Sequence, residues 1–102
     1  MVEAANQSAL VPSNKWEKVP TFAQLPEQEM RCLTAAVNGL NNEAIAAACH
    51  LKPKSVQSHI NNAVRRIRSL DGIGEAMPAY APRETVVKLL IDHGYFEPVQ
   101  EV

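Results

Sequence analysis

The sequence predicts an all-α fold, a four-helix domain organised around a helix-turn-helix over residues 43–70. Three observations carry that prediction. Val56, Ile60, Ala63 and Ile67 recur at i, i+4, i+7 and i+11, one stripe of a 3.6-residue period. The run Ala46-Ala47-Ala48 ahead of it lacks bulk, which lets a second helix approach closely at a steep angle over a short turn. The face opposite the apolar stripe is polar and basic, with Lys54, Ser55, Gln57, Ser58, Asn61, Asn62 and Arg65.

Charge follows the same division. No acidic residue occurs from Ala44 to Leu70, whereas Lys52, Lys54, Arg65, Arg66 and Arg68 place five positive charges there. The remainder holds the other five basic residues and all eleven acidic ones, net minus six, so the formal charge of −1 conceals a polarised molecule. Such polarity suits a surface that faces phosphates. At 102 residues the chain is read as one domain, too small to join a sensor to a separate output domain. No run approaches the roughly 18 apolar residues of a membrane span. The N-terminus lacks the basic and apolar regions of a signal peptide, so a soluble cytoplasmic protein with no membrane partner is expected.

Residues 1–24 read as an N-terminal arm, partly mobile over about its first ten residues. Pro12 and Pro20 interrupt any long helix, and Asn6, Ser8, Ser13 and Asn14 favour turns. Trp16, Val19 and Phe22 are costly to leave in water: either the segment after Ser13 folds back over the core, or these side chains hold a partner chain. Residues 25–102 form the domain proper. The first helix begins near Leu25-Pro26, with Glu27 and Glu29 at the positive end of its dipole. Met30, Leu33, Val37 and Leu40 continue it, and Gly39 closes it. Asn41 caps the second helix, whose inner face is Ile45, Ala46 and Cys49. His50-Leu51-Lys52 is the turn, with His50 where glycine is usual, and Pro53 starts the third helix. An extended loop spans 69–82, and the last helix runs from Glu84 to His93.

Chemistry other than binding finds little support. Cys32 and Cys49 lie in apolar stripes and read as small buried hydrophobes. A zinc site from Cys32, Cys49, His50 and His59 lacks every paired spacing, so no metal is expected. Asp71-Gly72-Ile73-Gly74 follows a helix rather than a strand and lacks a third glycine, which makes it a plain turn. With no nucleophile beside a base and no paired carboxylates in a pocket, the chain is expected to be no enzyme, with no catalytic residues and no cofactor.

Residues 25–67, LPEQEMRCLTAAVNGLNNEAIAAACHLKPKSVQSHINNAVRRI, resemble the LuxR/NarL/GerE-type DNA-binding domain of bacterial transcription regulators. The matching positions are Glu29, Leu33, Gly39-Leu40, Asn42, Ile45-Ala46, Leu51, Lys54, Val56, His59, Asn62 and Arg66, and Arg83 through Gly94 looks like the family's fourth helix. The resemblance covers Leu25 to Phe96. The chain departs from the pattern at Leu25, Ala44 and His50, and its Ser69–Pro82 connection is far longer than the family's few residues.

From these residues a sequence-specific regulator of transcription is expected, with double-stranded DNA as partner. Gln57, Ser58 and Asn61 fall along one outward strip of the third helix, and amides can pair with adenine N6 and N7 in the major groove. Lys54, Ser55, Arg65 and Arg66 are expected on phosphates, fixing register. Alone, Gln57 and Asn61 would be an ordinary solvated face. The last helix carries Val86, Val87, Leu89 and Leu90, an apolar excess extended by Tyr95 and Phe96, and the resemblance implies a homodimer through it. If the 69–82 loop, with Met77, Pro78, Tyr80 and Pro82, folds over that helix, the excess vanishes. The alternative is an interaction protein that keeps the fold and captures another regulator through the arm or the last helix.

Overall fold

The computed structural model describes residues 9–70 and 72–99. The part of the arm expected to be mobile lies mostly outside these residues, as does Asp71. Four helices make up the body: α1 (Glu27–Val37), α2 (Asn42–Cys49), α3 (Pro53–Ile67) and α4 (Arg83–Asp92). Two 3-10 turns, Asn14–Lys18 and Thr21–Ala23, precede them. The fold is helical, as the periodicity predicts. It adds one element that the sequence reading lacks, a ribbon of two antiparallel strands, β1 (Leu10–Pro12) and β2 (Phe96–Pro98), with Leu10 opposite Pro98 and Pro12 opposite Phe96. Three-residue strands bounded by proline carry no alternation to read.

The helix boundaries have local causes. Glu27 and Glu29 occupy the first turn of α1. Gly39, at φ +91°, turns the chain out of it where a side chain would be strained. The Asn41 side chain accepts from the Ala44 N–H at 2.8 Å, capping α2. His50 ends α2 in the left-handed region, φ 58° and ψ 47°, in the place where glycine is usual. Pro53 opens α3, where its missing N–H is no loss.

Two apolar clusters hold these elements. In one, Val56 and Ile60 of α3 pack with Cys32 and Ala36 of α1 and Ile45 and Ala46 of α2. In the other, Ala63 and Ile67 of α3 meet Leu33 and Val37 of α1, Val86 and Leu90 of α4, and the arm. The arm therefore folds back on the core. Trp16 and Val19 are buried, and the Trp16 Nε1–H donates to the Tyr95 carbonyl at 2.8 Å. Its ring lies 4.9 Å from that of Tyr95 and 6.1 Å from that of Phe96, centroid to centroid. Phe22 corrects the expectation: it is 71% exposed, and Ala23 fills the core position beside it.

The arm is also fixed by hydrogen bonds. Asn38, just past α1, exchanges two with the Leu10 backbone, at 2.7 and 2.9 Å. Ser13 donates from Oγ to the Gly94 carbonyl at 2.6 Å. The long connection is anchored too. Ile73 and Met77 enter the second cluster, and a Cβ on Gly74 would fall 2.2 Å from the Arg68 carbonyl oxygen, so the chain passes there only as glycine. Tyr95 and Phe96 are buried under Trp16 rather than extending an exposed surface.

Replacing Trp16 by alanine removes the largest side chain of the arm and leaves a cavity against Tyr95 and Phe96. Unfolding in urea should show a loss of about 3–5 kcal/mol; an unchanged midpoint would mean that the arm is not part of the folded core.

Candidate nucleic-acid interface

The rotation of α3 is set by its buried stripe. Val56, Ala63 and Ile67 are fully buried and Ile60 nearly so. The opposite side carries Lys54, Gln57, Ser58, Asn61 and Arg65, all exposed, with Ser55 and Asn62 half-buried at its edge. Among the described residues, neither the arm nor the connection covers this strip. They run along its two sides instead. Phe22 of the arm lies by Asn62, Arg65, Arg66 and Ser69. Tyr80 of the connection, 95% exposed, lies by Gln57, Asn61, Val64 and Arg68. Arg68 holds the connection there by donating to the carbonyls of Pro78 and Ala79, at 2.9 and 3.0 Å.

The polar side chains of the strip are joined. Arg83, the first residue of α4, donates to Asn42 Oδ1 at 2.7 Å. Asn42 Nδ2 donates to Gln57 Oε1 at 2.9 Å, and Gln57 Nε2 donates to Asn61 Oδ1 at 2.9 Å. Arg65 reaches only Asn62 Oδ1, at 3.2 Å, and its guanidinium stays on the surface. Sequence reasoning missed the roles of Asn42 and Arg83, which lie on α2 and α4; nothing in the spacing of α3 points to them.

Arg66 is occupied otherwise. Its Nη1 donates to the Gln24 carbonyl at 3.1 Å and lies 3.4 Å from the Phe22 carbonyl. Its Nε is 3.7 Å from Glu29 Oε1. Glu29 Oε2 lies 3.8 Å from His59 Nδ1, while Glu29 Oε1 and His59 Nδ1 are buried without a hydrogen bond. The guanidinium of Arg66 thus ties α3 to α1 and the arm, while 41% of its side chain stays exposed. Arg66 sits on the flank of α3 that faces α1, one step beyond the open strip.

On α4 the expected contact residues divide. Val86 and Leu90 are buried in the chain's own core, and Leu89 packs against it. Val87 is half-buried and Ile91 is 37% exposed; with Ala36 and Leu40 they line an open groove between α1 and α4. Much of the apolar excess of the last helix is therefore absorbed by Trp16, Ile73 and Met77.

Cys32 is fully buried and Cys49 half-buried, both as free thiols. Burial first, and then the neighbouring Cys49, pushes the Cys32 thiol above its ordinary value, which keeps it protonated and unreactive. Among the described residues no group of three or more His, Cys, Asp and Glu is placed to hold a metal ion. No helix among them is long and apolar enough to cross a membrane.

A short helix, a three-residue turn with a left-handed residue, and a longer helix with one uncovered face define a helix-turn-helix, the fold of DNA-binding regulators. Residues 23–70 match the family described as bacterial regulatory proteins, luxR family (GerE), and this segment is a LuxR/GerE-type helix-turn-helix domain. The match ends at Leu70, so the long connection, α4 and β2 lie beyond it. No curated protein and no solved structure gave a significant match to the chain.

The two neighbouring arginines separate cleanly by experiment. Arg66→Ala should lower stability by about 1 kcal/mol, because the carbonyls of the arm lose a charged donor that is itself partly solvated. Arg65→Ala should leave the urea midpoint unchanged; equal destabilisation by both would contradict the assignment of Arg66 as the clamp.

Proposed function

We propose that this protein is a sequence-specific DNA-binding regulator of transcription that inserts α3 into the major groove of duplex DNA. The observation that carries the reading is the open strip of Lys54, Gln57, Ser58, Asn61 and Arg65, left uncovered by the described residues of the arm and of the connection. Gln57, Ser58 and Asn61 read base edges, since amides and hydroxyls supply the donors and acceptors that the groove floor complements. Lys54, Ser55 and Arg65 hold phosphates and fix register. The absence of acidic residues from Ala44 to Leu70 supports this, because nothing on α2 or α3 beyond Glu43 repels the backbone.

The protein acts as a homodimer through the groove of Leu40, Val87 and Ile91, presenting two copies of α3 to half-sites about 34 Å apart. That surface is what remains of the apolar excess on α4 once the core has taken Val86 and Leu90. Capture of another regulator by the arm is less well supported, since Trp16 and Val19 are committed to the core.

Binding to a selected operator should weaken steeply as salt rises. Gln57→Ala or Asn61→Ala should cost about 1–3 kcal/mol on that site and relax base preference, whereas Arg65→Ala should weaken all sequences alike and lower the salt slope by about one. Absence of duplex binding at low salt overturns the reading; equal losses on operator and random DNA for Gln57→Ala remove it from the base-reading set. Sedimentation of Val87→Glu should give a monomer where the parent chain is a dimer, and a monomeric parent would remove the dimer.

A further inference from the structure

The hydrogen bonds that run from α4 through α2 to α3 have a direction, and one residue imposes it. An arginine side chain has donors and no acceptor. Arg83 Nη2 therefore requires an oxygen from Asn42, and the 2.7 Å contact is to Oδ1. With its oxygen so taken, Asn42 turns Nδ2 toward α3, and Gln57 must answer with Oε1. The Nε2 group of Gln57 then points along the helix to Asn61 Oδ1, one turn on. At the far end of the relay Asn61 is left with both Nδ2 hydrogens unused within it. An amide on a solvated helix is ordinarily free to present either end. Here both are oriented by a cation on another helix, half-buried and beyond the segment that matches the family.

We infer that Arg83, acting through Asn42, fixes which way the Gln57 and Asn61 amides face a bound duplex and is thereby a specificity-determining positioning residue that touches no base itself. This deepens the reading of α3 as the base-reading helix and rests on it. The relay uses one acceptor site on each amide oxygen and only one of the two amide hydrogens of Gln57. The free edge is donor-rich, with one N–H left on Gln57 and two on Asn61. In the major groove guanine offers two acceptors, N7 and O6, and no donor, whereas adenine and cytosine offer amino groups. The oriented pair accordingly favours guanine at the bases it meets, where unoriented amides would accept adenine as readily.

Asn42→Asp tests the direction while preserving size. A carboxylate still accepts from Arg83, but it only accepts, so Gln57 must present Nε2 to it and Oε1 to Asn61. Asn61 then turns Nδ2 inward and leaves Oδ1 at the free end. Folding is protected, because the substitution puts a negative charge in the first turn of α2, where the helix dipole favours it. Bound duplexes selected from a randomised pool by the parent chain, Asn42→Asp and Arg83→Met are sequenced, with a salt series on each protein.

Preference at one or two positions of the site should move from guanine toward adenine or cytosine in Asn42→Asp, by about fivefold or more. In Arg83→Met it should flatten, because nothing then selects a direction. The added carboxylate lowers overall affinity for every sequence, so base preference is the readout. Unchanged preference in both variants, or a uniform loss with no shift, overturns the relay and leaves α3 as the reading helix. A parent chain that binds no duplex, or binds all duplexes alike, overturns the base-reading role and the relay together. In the free protein, the side-chain amide resonances of Gln57 and Asn61 should shift in Arg83→Met; their invariance overturns the relay independently of DNA.

Discussion

Burial of Val56, Ile60, Ala63 and Ile67 fixes the angle at which α3 sits about its own axis, and that angle decides what the molecule offers to a partner. Each fully buried aliphatic side chain contributes about 1.5–3 kcal/mol relative to exposure. Rotating the helix by a single residue would bring Gln57, Asn61 and Arg68 inward, or Asn62 and Arg66, and put several such side chains in water. No interaction available to the exposed strip offsets a cost of that size. The amides and cations of α3 are thus held on an outward face chiefly by the apolar residues packed behind them.

The other described residues defend that arrangement without entering the strip. The arm is tied at three places: by Asn38 to the end of α1, by Ser13 and Trp16 to the segment after α4, and by β1 to β2. Arg66 adds a fourth link, from α3 itself to the carbonyls of the arm. The connection is tied by Ile73 and Met77 in the core and by Arg68 along its length. Both segments end as borders of α3, with Phe22 on one side and Tyr80 on the other. Small domains gain little from one core, and here the added segments enlarge that core by Trp16, Val19, Ile73 and Met77. The same packing reduces the apolar surface of α4 that a second copy would need, leaving the groove with Leu40, Val87 and Ile91.

The helices and the open strip were legible in the sequence because each rests on local rules. The four-residue stripe of α3, the Asn41 cap and the glycine that closes α1 are periodicity and end chemistry, and all three recur in the structure. What escaped depends on contacts between residues far apart in the chain. The β1–β2 ribbon joins the two ends. Phe22 stays in solvent and Ala23 faces the core because the register of a 3-10 turn, not hydrophobicity, decides which of them turns inward. Arg66 looked free on a one-dimensional strip, but its partners, Glu29 and the Gln24 carbonyl, lie some forty residues upstream. The relay from Arg83 crosses three helices, and no spacing within one of them encodes it.

The proposed role requires that the outer strip of α3, and no other surface, meet duplex DNA. Titration of the isotopically labelled protein with a short random-sequence duplex at low salt, followed by backbone and side-chain amide resonances, tests it without an operator in hand. The largest shifts are expected from Lys54 to Arg65, with small ones at Phe22 and Tyr80 and none at Trp16 or along Val87 to Ile91. Unshifted resonances throughout α3, or shifts confined to α4 and the arm, would contradict it.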